Sequence, residues 1–323
     1  MTKSFLFLFF AALPLNSHMQ EDLESLKLKG RIKSIKIMEI QSLRKDKKWI
    51  EGSPKFLTTI RFDSEGMQAE EEKFEGKTLV SKTRFERKTG GESGLCKKNE
   101  DAGAPFSIDG SGYSIKDFCK EFGKTPFAQT RVYKGPSAAQ MNLVNLILTI
   151  KDKKGRRTGE YLYDSMGNFE SRKTFKYDKQ DRIIETAAYD IEGIQINKEL
   201  VSYNDATHTK TVSVFDDAEQ LIEKTIIEYR DNGALRKETI FSFDKGEQVL
   251  SKIESLHDSS GQKNRELHYS GNSEEPSFEY LYERLIDKNG NWTKETRIKM
   301  INFYDKKIQD KQEPPKTTRR EIE

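Results

Sequence analysis

Histidine and cysteine, on which most nucleophilic and metal chemistry depends, are almost missing from this chain: four histidines and two cysteines in 323 residues. A Cys/His metal cluster or a nucleophile–base–acid set therefore has little to draw on. Charge of one sign is missing as well. Against 56 basic residues stand 53 acidic ones, interspersed for a net charge of +3, so the chain offers no basic face for nucleic acid or an anionic membrane. Long apolar runs are absent beyond the first twenty residues, which leaves no helical span, since that needs roughly 20 consecutive apolar residues. Apolar residues make up only 34%, no more than the charged ones. A thick apolar core is excluded by that balance, and a thin, extended sheet with wet faces is favoured.

What is present begins with a leader. Met-Thr-Lys precedes an apolar run from Phe5 to Leu15 and the polar turn Asn16-Ser17-His18, the order of a secretory signal peptide, assigned here to 1–19. A buried N-terminal strand is the alternative. No Cys stands at the cleavage region to carry a lipid anchor. Export would place Cys96 and Cys119 in an oxidising compartment, where a disulfide closing about 24 residues would stabilise by roughly 3 kcal/mol. The residues alone leave both the disulfide and two free thiols open.

The most informative feature is a repeat. An aromatic, usually followed by Asp and then by a turn residue, recurs at Tyr163-Asp164 with Gly167, Tyr177-Asp178 with Asp181, and Tyr189-Asp190 with Gly193. Looser copies follow at Tyr203, Phe215, Tyr229 with Gly233, Phe243-Asp244 with Gly246, and His257 with Gly261. Asp287 with Gly290, followed by Trp292, ends the series, and Phe62-Asp63 with Gly66 is an outlying copy. The aromatic slots from 163 to 257 are separated by even intervals of 14 or 12 residues. Strand side chains alternate with period two, so even intervals predict that these aromatics share one face. Between them, segments such as Glu223-Lys-Thr-Ile-Ile-Glu-Tyr229 read as half-solvated strands, and each Asp-x-x-Gly unit reads as a tight turn in which Asp caps backbone N–H groups and Gly takes positive φ. Trp292 is expected to close the last hairpin over the sheet end.

The expected organisation is N-terminal β-repeat strands at 20–87, a Gly-rich insertion with both cysteines at 88–136, β-hairpin repeats at 137–300, and a C-terminal strand with a solvated basic tail at 301–323. Met141 to Ile150 reads as a buried strand. The fold class is all-β: meandering antiparallel β-hairpin repeats forming an extended, twisted or half-rolled open sheet, with an irregular insertion.

These residues resemble the bacterial YD-repeat proteins of the RHS-like group, whose unit is Tyr-Asp-x-x-Gly-Arg-Leu. Phe175-Lys-Tyr177-Asp178-Lys-Gln-Asp181-Arg182-Ile183 is a near copy. The resemblance covers roughly 160 to 290 well and 28 to 87 weakly. Within the group the chain is similar to short, secreted members through Leu28-Lys-Gly30-Arg-Ile-Lys-Ser-Ile35, Gly290-Asn291-Trp292-Thr293 and Arg319-Arg320-Glu-Ile322. Large members wind such repeats into a shell around a toxin domain; this chain lacks a toxin-like C-terminal domain, so the resemblance implies an open sheet.

No catalytic or metal-binding residue is expected, and no cofactor. His257 occupies an aromatic slot, which suits packing. Acidic pairs are too abundant to single one out as a glycosidase site. The Asp-x-x-Gly turns lack the further ligands of a calcium loop. The reading is an exported, non-enzymatic β-repeat protein of the bacterial envelope, periplasmic, outer-surface or secreted, scaffolding or binding a protein or surface polysaccharide. No nucleic-acid partner and no membrane span after leader removal are expected. The alternatives are a carbohydrate- or peptidoglycan-binding module, and a hydrolase with a site between insertion and sheet.

Overall fold

The computed structural model describes residues 26, 28–30, 32–88, 96, 114–122, 125, 127–137, 139–303 and 306–323. The leader expected at 1–19 and the glycine run at 89–94 lie outside them. The first strands are β1 (Ser34–Lys45), β2 (Lys48–Phe62), β3 (Gln68–Glu75) and β4 (Thr78–Lys88). Helix α1 (Ile115–Phe122) precedes β5 (Phe127–Gly135), β6 (Asn142–Lys151), β7 (Arg157–Asp164), β8 (Phe169–Tyr177), β9 (Ile183–Tyr189) and β10 (Gln195–Asn204). Then come β11 (Thr209–Phe215), β12 (Leu221–Tyr229), β13 (Leu235–Phe243), β14 (Val249–His257), β15 (Lys263–Ser270) and β16 (Phe278–Ile286), and finally β17 (Trp292–Phe303), β18 (Lys306–Gln309) and β19 (Lys316–Ile322).

Each strand pairs antiparallel with the next, from β1 through to β17. The far edge of β17 carries both β18, along Met300–Phe303, and β19, along Lys294–Arg297. β19 then pairs with β1 from Ile35↔Ile322 to Ile40↔Thr317. Nineteen strands, of which β18 and β19 share one position, leave a closed wall of 18. The open or half-rolled sheet expected from the sequence is therefore wrong. Turn chemistry is local, whereas closure depends on a pairing between the two ends of the chain, and that pairing satisfies edges that would otherwise present unpaired N–H and C=O groups. Within 301–323, expected to hold a C-terminal strand and a solvated basic tail, Lys306–Gln309 is β18 and Lys316–Ile322 is β19, the strand that closes the wall.

The turns that begin on Asp follow one plan. From Asp63 to Asp287 the Asp Oδ1 accepts from the backbone N–H groups two and four residues on, as at Met166 and Asn168 for Asp164 (both 2.8 Å). The residue three after Asp takes positive φ: Gly167 at 86°, Asp181 at 63°. After Asp244 that place belongs to Glu247 (φ 58°), not Gly246 as the repeat suggested, because the turn counts three residues from its Asp. A register shift follows most turns, as between Leu162 and Tyr163 and between Glu228 and Tyr229, the mark of a bulge after a tight hairpin turn.

This plan corrects the predicted placement of the aromatics. Paired residues in the repeat hairpins have odd index sums, as in Leu162↔Ser171, Arg172↔Tyr189 and Lys198↔Phe215. Two residues an even interval apart on neighbouring strands therefore face opposite sides of the wall. Tyr163, Tyr189, Phe215 and Phe243 share one face; Tyr177, Tyr203, Tyr229 and His257 share the other.

Two elements cover the wall, one on each face. Leu28 and Ile32 of the N-terminal segment pack on Ile35, Ile60 and Phe62. On the opposite face, Ile115 and Phe118 of α1 pack on Phe127, Leu146, Leu148, Ile150, Tyr161 and Tyr163. Cys96 and Cys119 form a disulfide beside that cluster. The expected insertion at 88–136 contains α1 and, at Phe127–Gly135, β5, which is paired on both sides.

Candidate functional site

A cavity of about 500 Å³ is lined at once by Tyr229 of β12, Glu238 of β13, Lys263 of β15, Arg284 of β16, Trp292 of β17 and Arg320 of β19. Side chains from strands so far apart along the wall converge only on its concave side. That face therefore lines the lumen, the N-terminal segment lies inside, and α1 packs outside.

Hairpin turns alternate between the two ends of the barrel. At the end that holds the N-terminal segment they are stapled sideways. Arg182 donates Nε to Asp178 of its own turn (2.7 Å) and Nη1 to Asp205 of the next (2.6 Å), and lies 4.2 Å from the Tyr203 ring centroid. Arg156 repeats this with Asp152 (2.7 Å), Asp181 (2.5 Å) and Tyr177 (4.7 Å). Bonds from Lys154 and Arg156 hold the Asp181 carboxyl below its ordinary range, Lys154 being the larger influence. Farther round, Arg230 Nη2 donates to the carbonyl of His257 (2.9 Å). Asp178 and Asp181, named from the sequence, thus join Asp152 and Asp205 in a rim, and the aromatics of this end, Tyr177, Tyr203, Tyr229 and His257, line the lumen below it.

The cavity lies beneath that rim. Leu26, Ile227, Leu235, His257 and Gln262 complete its lining. Its cations are engaged. Lys263 pairs with Glu266 (2.7 Å), and Arg284 holds Glu295 through Nε (2.7 Å). Arg320 lies 3.5 Å from the Trp292 ring centroid and donates to the Leu26 carbonyl (3.4 Å). Glu266 also accepts from Tyr282 (3.1 Å) and bonds to His268 (2.8 Å). Burial raises Glu266, but its bonds to Lys263, His268 and Tyr282 outweigh this and hold the carboxyl below its ordinary range, while burial beside Glu266 pushes Tyr282 up. Burial, and then Glu238, raises Tyr229. Glu238 itself makes no ion pair among the described residues. A second cavity of about 300 Å³ adjoins the first, sharing Gln262 and Arg284 and adding Asp258, Ser260, Asn264, Tyr282 and Lys29.

Of the residues singled out in the sequence, Tyr229, His257 and Trp292 reach this cavity, and Gly290 lies at the smaller one. Trp292 packs inside the lumen beneath Arg320, one hairpin before the barrel closes. Tyr163 lies far from the cavity under α1, fully buried, and burial pushes its phenol up. Asp63, Asp164, Asp190 and Asp244 are turn caps, and Gly66, Gly167, Gly193 and Gly233 supply positive φ. Glu238, Lys263, Arg284 and Arg320 were not legible as site residues, because they occupy ordinary strand positions whose convergence depends on barrel closure.

Among the described residues no group of three or more His, Cys, Asp or Glu is placed to hold a metal ion, and no helix is long and apolar enough to cross a membrane. Mid-strand charges occupy both faces of the wall: Lys82, Arg172, Lys224 and Lys252 outside, Glu160, Lys173, Glu223 and Glu266 inside.

No protein-family model matches the chain, and no curated protein matches it in sequence. Solved structures similar to it include a porin-like protein from Bacteroides uniformis, at 11% identity over 90% of this chain and 96% of that one, with a TM-score of 0.40. A protein of unknown function from Bacteroides fragilis is 13% identical over 39% of this chain and 91% of that one, with a TM-score of 0.19. A Tc holotoxin pore of Photorhabdus luminescens is 9% identical over 79% of this chain and 19% of that one, with a TM-score of 0.14. At these scores none of the three fixes the architecture, which rests on the strand pairings themselves.

Proposed function

We propose that this chain is an exported, non-enzymatic β-barrel of the bacterial envelope that stands in water rather than in lipid and acts as a scaffold or binding protein for a protein or surface polymer. The observation that carries this reading is the charge on both faces of the wall. A lipid-spanning barrel presents an apolar band outward, and each Lys or Arg at the middle of that band costs about 2–4 kcal/mol. Here Lys82, Arg172, Lys224 and Lys252 all point outward from mid-strand, Lys82 pairing with Glu72 (2.8 Å) and Lys252 with Glu254 (3.4 Å). The non-enzymatic part draws on the state of the histidines. His268 bonds to Glu266 and stacks on Phe278 at 4.4 Å, the setting of a packed residue rather than a general base beside a nucleophile. Export draws on the leader pattern, and the resemblance to secreted YD-repeat proteins agrees with it.

The test is fractionation of the full chain expressed in a Gram-negative host. A protein recovered from periplasm or medium without detergent, which then captures a defined envelope component reproducibly, supports the reading. Recovery only from detergent-extracted outer membrane refutes it.

A further inference from the structure

We infer that the luminal cavity at the stapled rim is a binding site for a neutral saccharide, with the adjoining smaller cavity taking a second sugar unit; this deepens the scaffold reading and rests on it. The lining decides the chemistry. An anionic ligand needs cations to meet it, and Lys263, Arg284 and Arg320 already hold Glu266, Glu295 and the Leu26 carbonyl. A cationic ligand would meet the guanidinium groups of Arg284 and Arg320 on the same wall. A wholly apolar ligand would strip water from Glu238, Gln262 and the Tyr229 hydroxyl without replacing it.

A pyranose satisfies all three constraints. Its hydroxyl groups donate to a carboxylate and exchange bonds with an amide, and its C–H face packs on an aromatic or aliphatic surface. Glu238, with no ion pair of its own among the described residues, accepts from adjacent hydroxyls, and Gln262 offers both a donor and an acceptor. Tyr229, Ile227 and Leu235 supply the apolar side. The volume of about 500 Å³ falls in the range of small-molecule sites. The second cavity, of about 300 Å³, continues from the shared Gln262 and Arg284 with polar groups from Asp258, Ser260 and Asn264, so the chain of sugars runs from one cavity to the other beneath Lys29.

The experiment uses the full mature chain carrying Trp49→Phe, which leaves Trp292 in the cavity as the fluorescent reporter. Maltose, cellobiose, lactose and N,N′-diacetylchitobiose are titrated by emission and by calorimetry up to about 10 mM, the range of weak sugar affinities. At least one is expected to shift the Trp292 emission with a matching heat, and Glu238→Ala to weaken it by roughly tenfold or more, one lost charged partner being worth that factor. Ser242→Ala, on the luminal face of the same strand but outside the cavity, is expected to leave affinity unchanged while circular dichroism confirms that both variants fold. No response to any of the four sugars overturns the inference, and so does binding that Glu238→Ala leaves intact. Fractionation is read without sugar, so failure here is distinguishable from failure of the scaffold reading.

Discussion

Replacing Phe118 with alanine tests whether α1 belongs to the cooperative structure of the barrel. The Phe118 ring is fully buried, with ring centroids at 5.3 Å from Phe122, 5.1 Å from Phe127 and 5.2 Å from Tyr161. Removing it deletes the transfer free energy of the ring and leaves a cavity between helix and wall, a loss of about 3–5 kcal/mol for a site that cannot collapse. The disulfide keeps Cys119 attached, and β5 and β7 are held by their own ladders, so collapse is restricted. Urea unfolding followed by strand dichroism should show the midpoint falling with the slope unchanged. Reduction of the disulfide should cost roughly 3 kcal/mol on the chain-entropy estimate. Combined with Phe118→Ala it should cost less than the sum, because neighbouring groups that fix one helix are not independent. A loss below about 1 kcal/mol for Phe118→Ala would refute the reasoning, because it falls short of even a simple ring-burial value; hydrogen exchange at 115–122 would then reveal a helix that undocks without the barrel.

Other outcomes follow from single positions. Burial raises Glu279, but hydrogen bonds from Lys307 and Arg265 outweigh it and hold the carboxyl below its ordinary range. Its contribution is therefore complete above the unfolded carboxyl value near 4.3 and fades as pH falls through the lower folded value; Glu279→Gln should flatten that acid limb in unfolding curves measured from neutral pH downward. Gly193 sits at φ 79° with open space around its α-carbon, so Gly193→Ala should cost about 1–2 kcal/mol from backbone strain alone in thermal melts. Glu247 holds φ 58° in the equivalent turn place, so Glu247→Gly should stabilise by up to about 1 kcal/mol. Ending the chain at Pro315 removes β19 and exposes the edges of β1 and β17; size-exclusion chromatography should show association, and a stable monomer would contradict closure as what keeps these edges from pairing with other chains.

The strands and turns were legible because their causes are local. Asp with Gly or another turn residue three places on announces most of the repeat hairpins, and Thr, Ile and Val between charged residues announce their strands. The face of each aromatic was not legible from spacing alone. It depends on whether the residues enclosed by a hairpin pair are even or odd in number, which the bulge at each turn decides. Closure was less legible still, because no residue within β1 or β19 names its partner at the other end of the chain. The site inherits that limit: Tyr229 and Trp292 appeared in the repeat, whereas Glu238, Arg284 and Arg320 gained meaning only once the wall curved round.

The seam between β1 and β19 also sets an order of events. Lys33 N–H donates to the Glu323 carbonyl (2.7 Å), and the Glu323 N–H donates to the Ser34 carbonyl (3.0 Å). The last of the nineteen strands is thus the one that seals the first, and until β19 docks the meander carries two live edges. Pairing with so great a sequence separation is slow to form, so the interval between synthesis and sealing is when a chaperone would be needed. The same proximity of Lys33 and Glu323 means that a peptide link joining β19 to β1, with new termini cut in an exposed turn such as Asp216–Gln220, would move the vulnerable edges elsewhere without altering the strand order of the barrel.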